Sequence, residues 1–382
     1  MKNRYFFFAY LVCLFSCSEH EPGNKIVVDM LAESSFKGSV EIDSTSGNFE
    51  YRINYYNPDS GFNLSIIKGN GKIAFYNIES KETKIVTGFQ LNGRASCYSD
   101  NKGNYYLVIQ NGMIIEHYKE NSPDHVALVK RYDLPSSAPF STYIFWPDAI
   151  NLPFRIDNGG NMVLTLLPEI RVPPKERYTA FLETFNFAMF HLDAEVSIGK
   201  PFATFPKKYR AGFYHDLQGS HPLATYIGDS MLCYTFDIEP VIYSYNFKAD
   251  KTYSYTVRGL KGNDLKEADI TKLSQGIQYT KQYSVENNRN AAFLYDNTGK
   301  FVIIRSLKTN YINDDGTLNE YLDKKLEINV IDRATHTVRK KILLANNGRY
   351  LIFQAFTRNG LLYLPRVVND NNEPLIADTY EI

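Results

Sequence analysis

Neither sign of charge is in excess in this chain: 42 basic residues stand against 42 acidic ones in 382. Nucleic-acid binding is carried by Lys and Arg on phosphates, and no block of basic residues is present, so nucleic acid is excluded as the expected partner. Cysteine is scarce. Of four, Cys13 and Cys17 lie near the start, which leaves Cys97 and Cys233 in the body. An exported protein is able to pair them, but a chain this long needs no staple, and two buried free thiols are expected. Tryptophan occurs once, at Trp146. Linear catalytic signatures are missing as well: no nucleophile elbow, phosphate-cradling Gly loop, dinucleotide fingerprint, His-Glu-x-x-His or paired-Cys motif occurs. The residues call for no cofactor.

The first residues read as a processing signal. Lys2 and Arg4 precede an apolar stretch, Tyr5 to Phe15. That stretch is too short for a bilayer span of about 20 residues and fits the core of a signal peptide. It meets Leu14-Phe15-Ser16-Cys17, which looks like a lipobox, the site where a Cys thiol takes a diacylglycerol before cleavage. Phe15 is bulkier than the usual residue there, and Cys13 fits less well because Val12 before it is not small. The competing reading is an apolar N-terminal strand with an ordinary cysteine. On the lipobox reading residues 1–16 are removed, Cys17 carries the lipid, and residues 17–24 form a polar tether. Two or more acyl chains give stable membrane anchoring. Glu19 and Glu21 just after the Cys resemble the surface-export signal of Bacteroidota lipoproteins, which implies the outer membrane, with either leaflet open.

Aromatic residues are abundant, with 29 Tyr and 25 Phe. They favour pleated, half-buried surfaces and point to an all-β fold. A degenerate internal repeat supports this. Its clearest strand reads Ile73-Ala74-Phe75-Tyr76-Asn77, and recurs at Ile115–Lys119, Met189–Asp193, Ile242–Asn246, Ile328–Asp332 and Ala377–Glu381. The first five copies are each followed by a polar turn and another β-rich run. Each copy is also preceded by a strand that opens on a turn, such as Asp100-Asn101-Lys102-Gly103 or Asp296-Asn297-Thr298-Gly299, where Asn, Asp and Gly supply hairpin conformations. The unit is a four-stranded antiparallel meander a-b-c-d of about 60 residues. Six units predict a six-bladed β-propeller over residues 25–382, with a two-sheet sandwich array as the alternative. The last unit stops at Ile382 on its c strand. The run Lys25–Met30 is expected to supply the missing strand and close the ring, removing open edges.

In such a meander the a–b and c–d turns share one end and the b–c and d–a loops share the other. The second set holds nearly all the extra length: residues 135–153, 168–186, 206–227, 259–290 and 307–325. Two of these look partly helical, one capped by Asp264 and running through Leu273, the other starting at Pro174. Blades 1 and 2 have short b–c turns, so the long-loop face is walled by blades 3 to 5. Long loops on a rigid scaffold are where binding usually resides.

The candidate binding residues lie in those loops. Arg210, His215, Asp216 and His221 form the densest polar group; two imidazoles and a carboxylate suit a transition metal, but the spacing matches no strong motif, and no metal site is assigned. Tyr143, Trp146 and Arg155 form an aromatic and basic group suited to stacking on a sugar or anchoring a partner protein. Both groups equally fit solvated or rim-packing loops. His117 and His191 share a repeat position, which argues for a structural role. Asp237 and Glu239 begin a c strand, and acid–base work would need both to face one cavity.

The lipobox, the length, the repeated strands and Asp237-Ile238-Glu239-Pro240 leading into Val241–Tyr245 resemble a family of Bacteroidota propeller-like lipoproteins known only as a domain of unknown function. The resemblance covers nearly the whole chain after Cys17 and its motifs are of low specificity. It implies a six-bladed, TolB-like propeller and no known activity, and carries no site residues. Two functions follow from the residues. One is an envelope module that binds a protein or glycan through the blade 3–5 loops, held to the membrane by its lipid. The other is a channel-centred, metal-assisted hydrolase or lyase acting on glycans, since propellers are able to place catalytic groups around the axis without a linear motif.

Overall fold

The computed structural model describes residues 27–29, 32–43, 53–56, 64–91, 95–100, 102–109, 114–134, 160–165, 182–183, 185–192, 196–212, 222–228, 230–273, 277–367 and 373–382. The chain opens with β1 (Val27–Asp29), a helical turn α1 (Ala32–Ser35) and β2 (Phe36–Asp43). Antiparallel meanders follow: β3 (Ile53–Tyr56), β4 (Leu64–Gly69), β5 (Lys72–Tyr76) and β6 (Thr83–Thr87); then β7 (Ala95–Ser99), β8 (Asn104–Ile109), β9 (Ile114–Ser122) and β10 (His125–Asp133). Next come β11 (Asn161–Thr165), β12 (Phe185–Leu192) and β13 (Val196–Thr204), and then β14 (Leu223–Ile227), β15 (Met231–Thr235), β16 (Val241–Asn246) and β17 (Lys251–Thr256). The chain ends with β18 (Arg289–Asp296), β19 (Lys300–Ser306), β20 (Leu326–Asp332) and β21 (Thr337–Leu344), followed by β22 (Phe356–Arg358), β23 (Leu361–Pro365) and β24 (Leu375–Glu381).

Every repeated strand read from the sequence falls inside one of these meanders, on β5, β9, β12, β16, β20 and β24. The turns follow from backbone chemistry. Asn70-Gly71 and Asn359-Gly360 both place two successive residues at positive φ, the conformation that a two-residue hairpin needs to match strand twist. The β3–β6 and β7–β10 meanders touch edge to edge through a single parallel bridge, Thr87 to His125. Gly88 makes that approach possible, because a Cβ there would sit 2.2 Å from the Val126 carbonyl oxygen.

The middle strands are apolar on both faces because each face feeds a different core. In β19, Phe301 and Ile303 pack towards Cys233 and Ile242 of the β14–β17 sheet and Val257 just after it. Val302 and Ile304 pack the other way, with Leu362, Leu364 and Tyr380 of the β22–β24 sheet. Sheets therefore stack face to face in chain order. The last packs on the first: Phe356, Tyr363, Leu375 and Ala377 share a core with Ile53, Leu64, Ile66 and Tyr76. The innermost strands β14, β18 and β22 are neighbours in turn.

The closing strand differs from the expected one. Val27–Asp29 does not join β24. It lies parallel to β21, with Val27 opposite Lys340 and Asp29 opposite Ile342. The strand that completes the last sheet is β2, antiparallel to β24 from Phe36–Tyr380 to Asp43–Leu375. The physical reason is periodicity. Phe36-Lys37-Gly38-Ser39-Val40-Glu41-Ile42-Asp43 puts Val40 and Ile42 on the side of the closing core, where Ile42 is fully buried. Gly38 and the two register shifts let the strand follow the twist. The Lys25–Met30 run has no such alternation, and its described part instead covers the outer edge of β21.

Cys97 and Cys233 are both buried and unpaired, in different sheets. His117 and His191 make the same contact in two sheets: each ring is hydrogen-bonded to the amide of the Asn that begins the neighbouring strand, Asn104 and Asn161 respectively. Their recurrence is thus structural.

Candidate functional site

Among the described residues, two long insertions leave from the same end of the molecule, residues 257–288 between β17 and β18 and residues 307–325 between β19 and β20. The first was expected to hold a helix capped by Asp264. The helices found are α2 (Ile270–Leu273) and α3 (Ile277–Glu286). Asp269 opens α2, where its carboxylate accepts from the Thr271 N–H at 3.0 Å. Residues 261–269 are instead irregular, because the buried Leu265 and Ala268 are drawn towards the sheet. The sequence of α3, Ile-Gln-Tyr-Thr-Lys-Gln-Tyr-Ser-Val-Glu, carries little helical patterning, which hid it. The fully buried Lys324 holds it in place by donating to the Ser284 and Asn287 carbonyls at 2.8 and 2.6 Å, around the helix C-terminus.

Beneath these insertions a polar row crosses the sheet. Asn290 of β18 lies opposite Arg305 of β19, which lies opposite Glu327 of β20. The row shares a sheet face with Phe301 and Ile303, so it caps the loop end of the core between the β14–β17 and β18–β21 sheets. Arg305 Nη2 donates to the Lys261 carbonyl at 2.7 Å and Nη1 to Glu327 Oε1 at 3.4 Å. Asn329 Nδ2 donates to the same carboxylate oxygen at 2.9 Å. Asn263 Nδ2 donates to Asn290 Oδ1 at 3.3 Å. Burial pulls the Arg305 guanidinium below its ordinary range, and Glu327 and then Asp237 oppose that.

A second ion pair stands beside the row. Asp237, on the turn between β15 and β16, accepts from Arg289 Nη1 at 3.2 Å and from the Asn290 N–H at 2.6 Å. Tyr283 of α3 lies under the Arg289 guanidinium, 5.4 Å from the ring centre. Around Arg305, three buried side-chain atoms have no hydrogen-bond partner: Arg305 Nε, Asn263 Oδ1 and Asn329 Oδ1. Arg305 is 7% exposed, Asn263 3% and Asn329 0%. Native interiors rarely leave such groups empty-handed; ordered water or a small polar ligand takes them. The site thus offers one charged donor and two amide acceptors. It offers no acid–base pair, since Asp237 is engaged by Arg289 and Glu239 accepts from the Tyr243 hydroxyl.

Of the residues the sequence pointed to, Arg210 is exposed on the 3-10 turn Lys207–Ala211, whose Tyr209 is buried against Phe205 and Phe236. Cys17, Tyr143, Trp146, Arg155, His215, Asp216 and His221 lie outside the described residues. Among the described residues no group of three or more His, Cys, Asp or Glu side chains is placed to hold a metal. Sequence reading found Asp237 but missed Arg289, Arg305, Glu327 and Asn329. A signal was there: Arg305 interrupts the apolar run Phe301-Val302-Ile303-Ile304, and Asn329 sits inside Ile328-Asn329-Val330-Ile331.

The fold matches those of solved proteins. The chain is similar to a member of the DUF4221 family from Bacteroides vulgatus, with a TM-score of 0.63 and 14% identity over 91% of this chain and 97% of that one. It is also similar to an exported protein from Bacteroides fragilis (TM-score 0.47, 9% identity, 93% and 97% covered) and to virginiamycin B lyase from Staphylococcus aureus (0.41, 9%, 91% and 100%). No family model and no curated protein matches the sequence. The architecture is a β-propeller, and the resemblance read from the sequence, to a Bacteroidota propeller-like family of unknown function, agrees with the first of these folds.

Proposed function

We propose that this chain is a six-bladed propeller, exported and anchored through a lipid on Cys17 at the outer membrane, that binds a protein or glycan through the long loops of blades 3 to 5. The observation that carries the reading is the difference between the two ends of the molecule. At one end the described hairpins are short turns, such as Asp296–Gly299 and Asn359-Gly360. At the other, the two insertions around blade 5 are fastened to each other. Lys281 pairs with Glu320 at 2.9 Å, Thr309 N–H donates to the Val285 carbonyl at 3.1 Å, and Lys308 N–H donates to Asn288 Oδ1 at 2.7 Å. Ordering a loop costs about 1–2 kcal/mol per residue in backbone entropy. Loops fixed in advance spare a partner that cost.

The fastened loops present apolar side chains to solvent. Residues 310–319 form a hairpin with Ile312 bridged to Leu318. Its turn is set by Asn313, Asp315, Thr317 and Asn319, which hydrogen-bond among themselves. Ile312 and Leu318 are 59% and 50% exposed. A rigid hairpin that holds two aliphatic side chains in water suits a partner's apolar surface. The test is cross-linking in intact cells with wild type and with Ile312→Asp/Leu318→Asp. Capture of a discrete partner by the wild type, lost in the variant, is expected. Equal capture by both would move binding away from this hairpin, and no capture by either would refute the binding role.

A further inference from the structure

The seam between the β14–β17 and β18–β21 sheets holds buried polar atoms that the fold itself does not use, and the atoms beside them fix their orientation. Arg305 commits Nη2 to the Lys261 carbonyl and Nη1 to Glu327, which leaves its Nε–H. Asn329 commits its amide N–H to Glu327 Oε1 at 2.9 Å, which leaves Oδ1. Asn263 commits its amide N–H to Asn290 Oδ1, and the Asn290 amide donates in turn to the Phe236 carbonyl at 3.3 Å, which leaves Asn263 Oδ1. Neither the Asn263 nor the Asn329 amide can turn over without setting its oxygen against another acceptor oxygen. The seam therefore keeps one cationic donor and two neutral acceptors.

The three atoms belong to one network. Arg305 and Asn290 are opposite neighbours on β19 and β18. Lys261, whose carbonyl Arg305 holds, is two residues from Asn263. Asn329 reaches Arg305 through the single carboxylate oxygen that both share. Opposite side chains on one sheet face stand about 5 Å apart at Cβ. Ile303, opposite Asn329 on β19, and Leu260 belong to the apolar core below. Solvent reaches the row at Glu327, whose side chain is 18% exposed, and at the half-buried Asn290. A few placed polar groups in an apolar wall are the composition of a small-molecule site.

The donor set selects the ligand. A carboxylate or phosphate would meet two amide oxygens and the Glu327 carboxylate. A metal ion or an ammonium group would meet the Arg305 guanidinium. An apolar molecule would leave all three atoms unmatched. A hydroxyl accepts from one neighbour and donates to another, so two hydroxyls suffice for all three. We propose that this seam is a binding site for a neutral polyhydroxyl molecule of monosaccharide size, whose hydroxyls accept from Arg305 Nε–H and donate to Asn263 Oδ1 and Asn329 Oδ1. Water has the same donor and acceptor pattern, and the experiment separates the two. The proposal rests neither on the exposed hairpin nor on the lipid anchor.

The purified chain is titrated by calorimetry with glucose, galactose, mannose, N-acetylglucosamine and myo-inositol, with inorganic phosphate and calcium chloride as charged probes, and melting is followed alongside. Sugars at high concentration stabilise proteins in general by exclusion from their surface, so the readout is saturable binding that depends on the seam. At least one neutral probe is expected to bind wild type saturably and Asn329→Leu at least ten-fold more weakly, since leucine keeps the branched shape and removes the acceptor. Should Asn329→Leu lose its melting transition, Asn263→Ala, on the insertion, is read instead, and the same weakening is expected. Ile312→Asp/Leu318→Asp is expected to bind the probe as wild type does, so the hairpin reading and this one fail separately. Melting shifts that rise without saturating, equal in wild type and variant, mean that the seam holds water alone and overturn the proposal. Saturable binding that survives the seam substitution, binding lost in the hairpin variant, or saturation by phosphate or calcium in place of the neutral probes overturns it as well.

Discussion

Two buried charged clusters sit at different seams of the same ring and are built in opposite ways. At the closing seam Asp378 is fully buried, and both its carboxylate oxygens are used. Oδ1 accepts from Ser39 at 2.6 Å and from Arg366 Nη2 at 2.6 Å; Oδ2 accepts from Arg349 at 2.7 Å and from the Tyr350 hydroxyl at 2.7 Å. Ser39 belongs to β2 and Asp378 to β24, so the cluster staples the N-terminal strand to the C-terminal one. At the seam between the β14–β17 and β18–β21 sheets, Arg305 and its amide neighbours leave buried atoms unbonded. A cluster with every valence filled specifies structure, whereas one with valences left over is where water or a ligand belongs.

Five predictions sharpen that contrast, in descending order of effect. Truncation that removes residues 36–43 should abolish cooperative folding, because it bares the β24 edge and empties Ile42 from the closing core; a preserved melting transition in the truncated chain would dismiss β2 as the closing strand. Asp378→Ala should cost about 2–3 kcal/mol in urea unfolding, below the range for fully buried pairs because Arg349 and Arg366 reach solvent and rehydrate.

The same residue gives a pH dependence. Burial alone would raise the Asp378 carboxyl, but hydrogen bonds from Arg366, Ser39 and Tyr350, with Arg349 nearby, hold it below its ordinary 3.8. A depressed carboxyl contributes its full stability above 3.8 and loses it as pH falls through the folded value. The stability gap between wild type and Asp378→Asn should therefore be constant at neutral pH and narrow only under acid. A gap that closed at neutral pH would contradict the latch.

At the other seam, Arg305→Met/Glu327→Met should change stability by less than about 1 kcal/mol, since apolar replacement of a whole buried pair is commonly neutral. The same variant should lose whatever polar ligand the site holds, which ligand-dependent melting shifts would report. Smallest of all, removal of residues up to Asp29 should cost about 0.5 kcal/mol, because β1 only adds to the outer edge of β21. A loss matching that of the longer truncation would restore the N-terminal run as the closing element.

Strands and turns were legible because their code is local. The repeated c strands carry alternation within five residues, and Asn-Gly pairs announce their turns. The β2 strand was equally legible in its own alternation, but Lys25–Met30 drew attention by being more apolar. The site was less legible. Asp237 was visible as a charged residue at a strand start, yet its partner Arg289 is 52 residues away in sequence. Arg305 and Asn329 looked like defects in apolar strands, and become a cluster only when Glu327 is laid between them by strand register.

By itself the sequence determined the meander, its spacing and the sidedness of the insertions around β18 and β19, since each depends on neighbours a few residues apart. Tertiary structure alone decided which N-terminal strand closes the ring and which buried charges find partners. Those outcomes depend on register and on contacts between residues hundreds of positions apart, such as Ser39 with Asp378, and no local pattern encodes them.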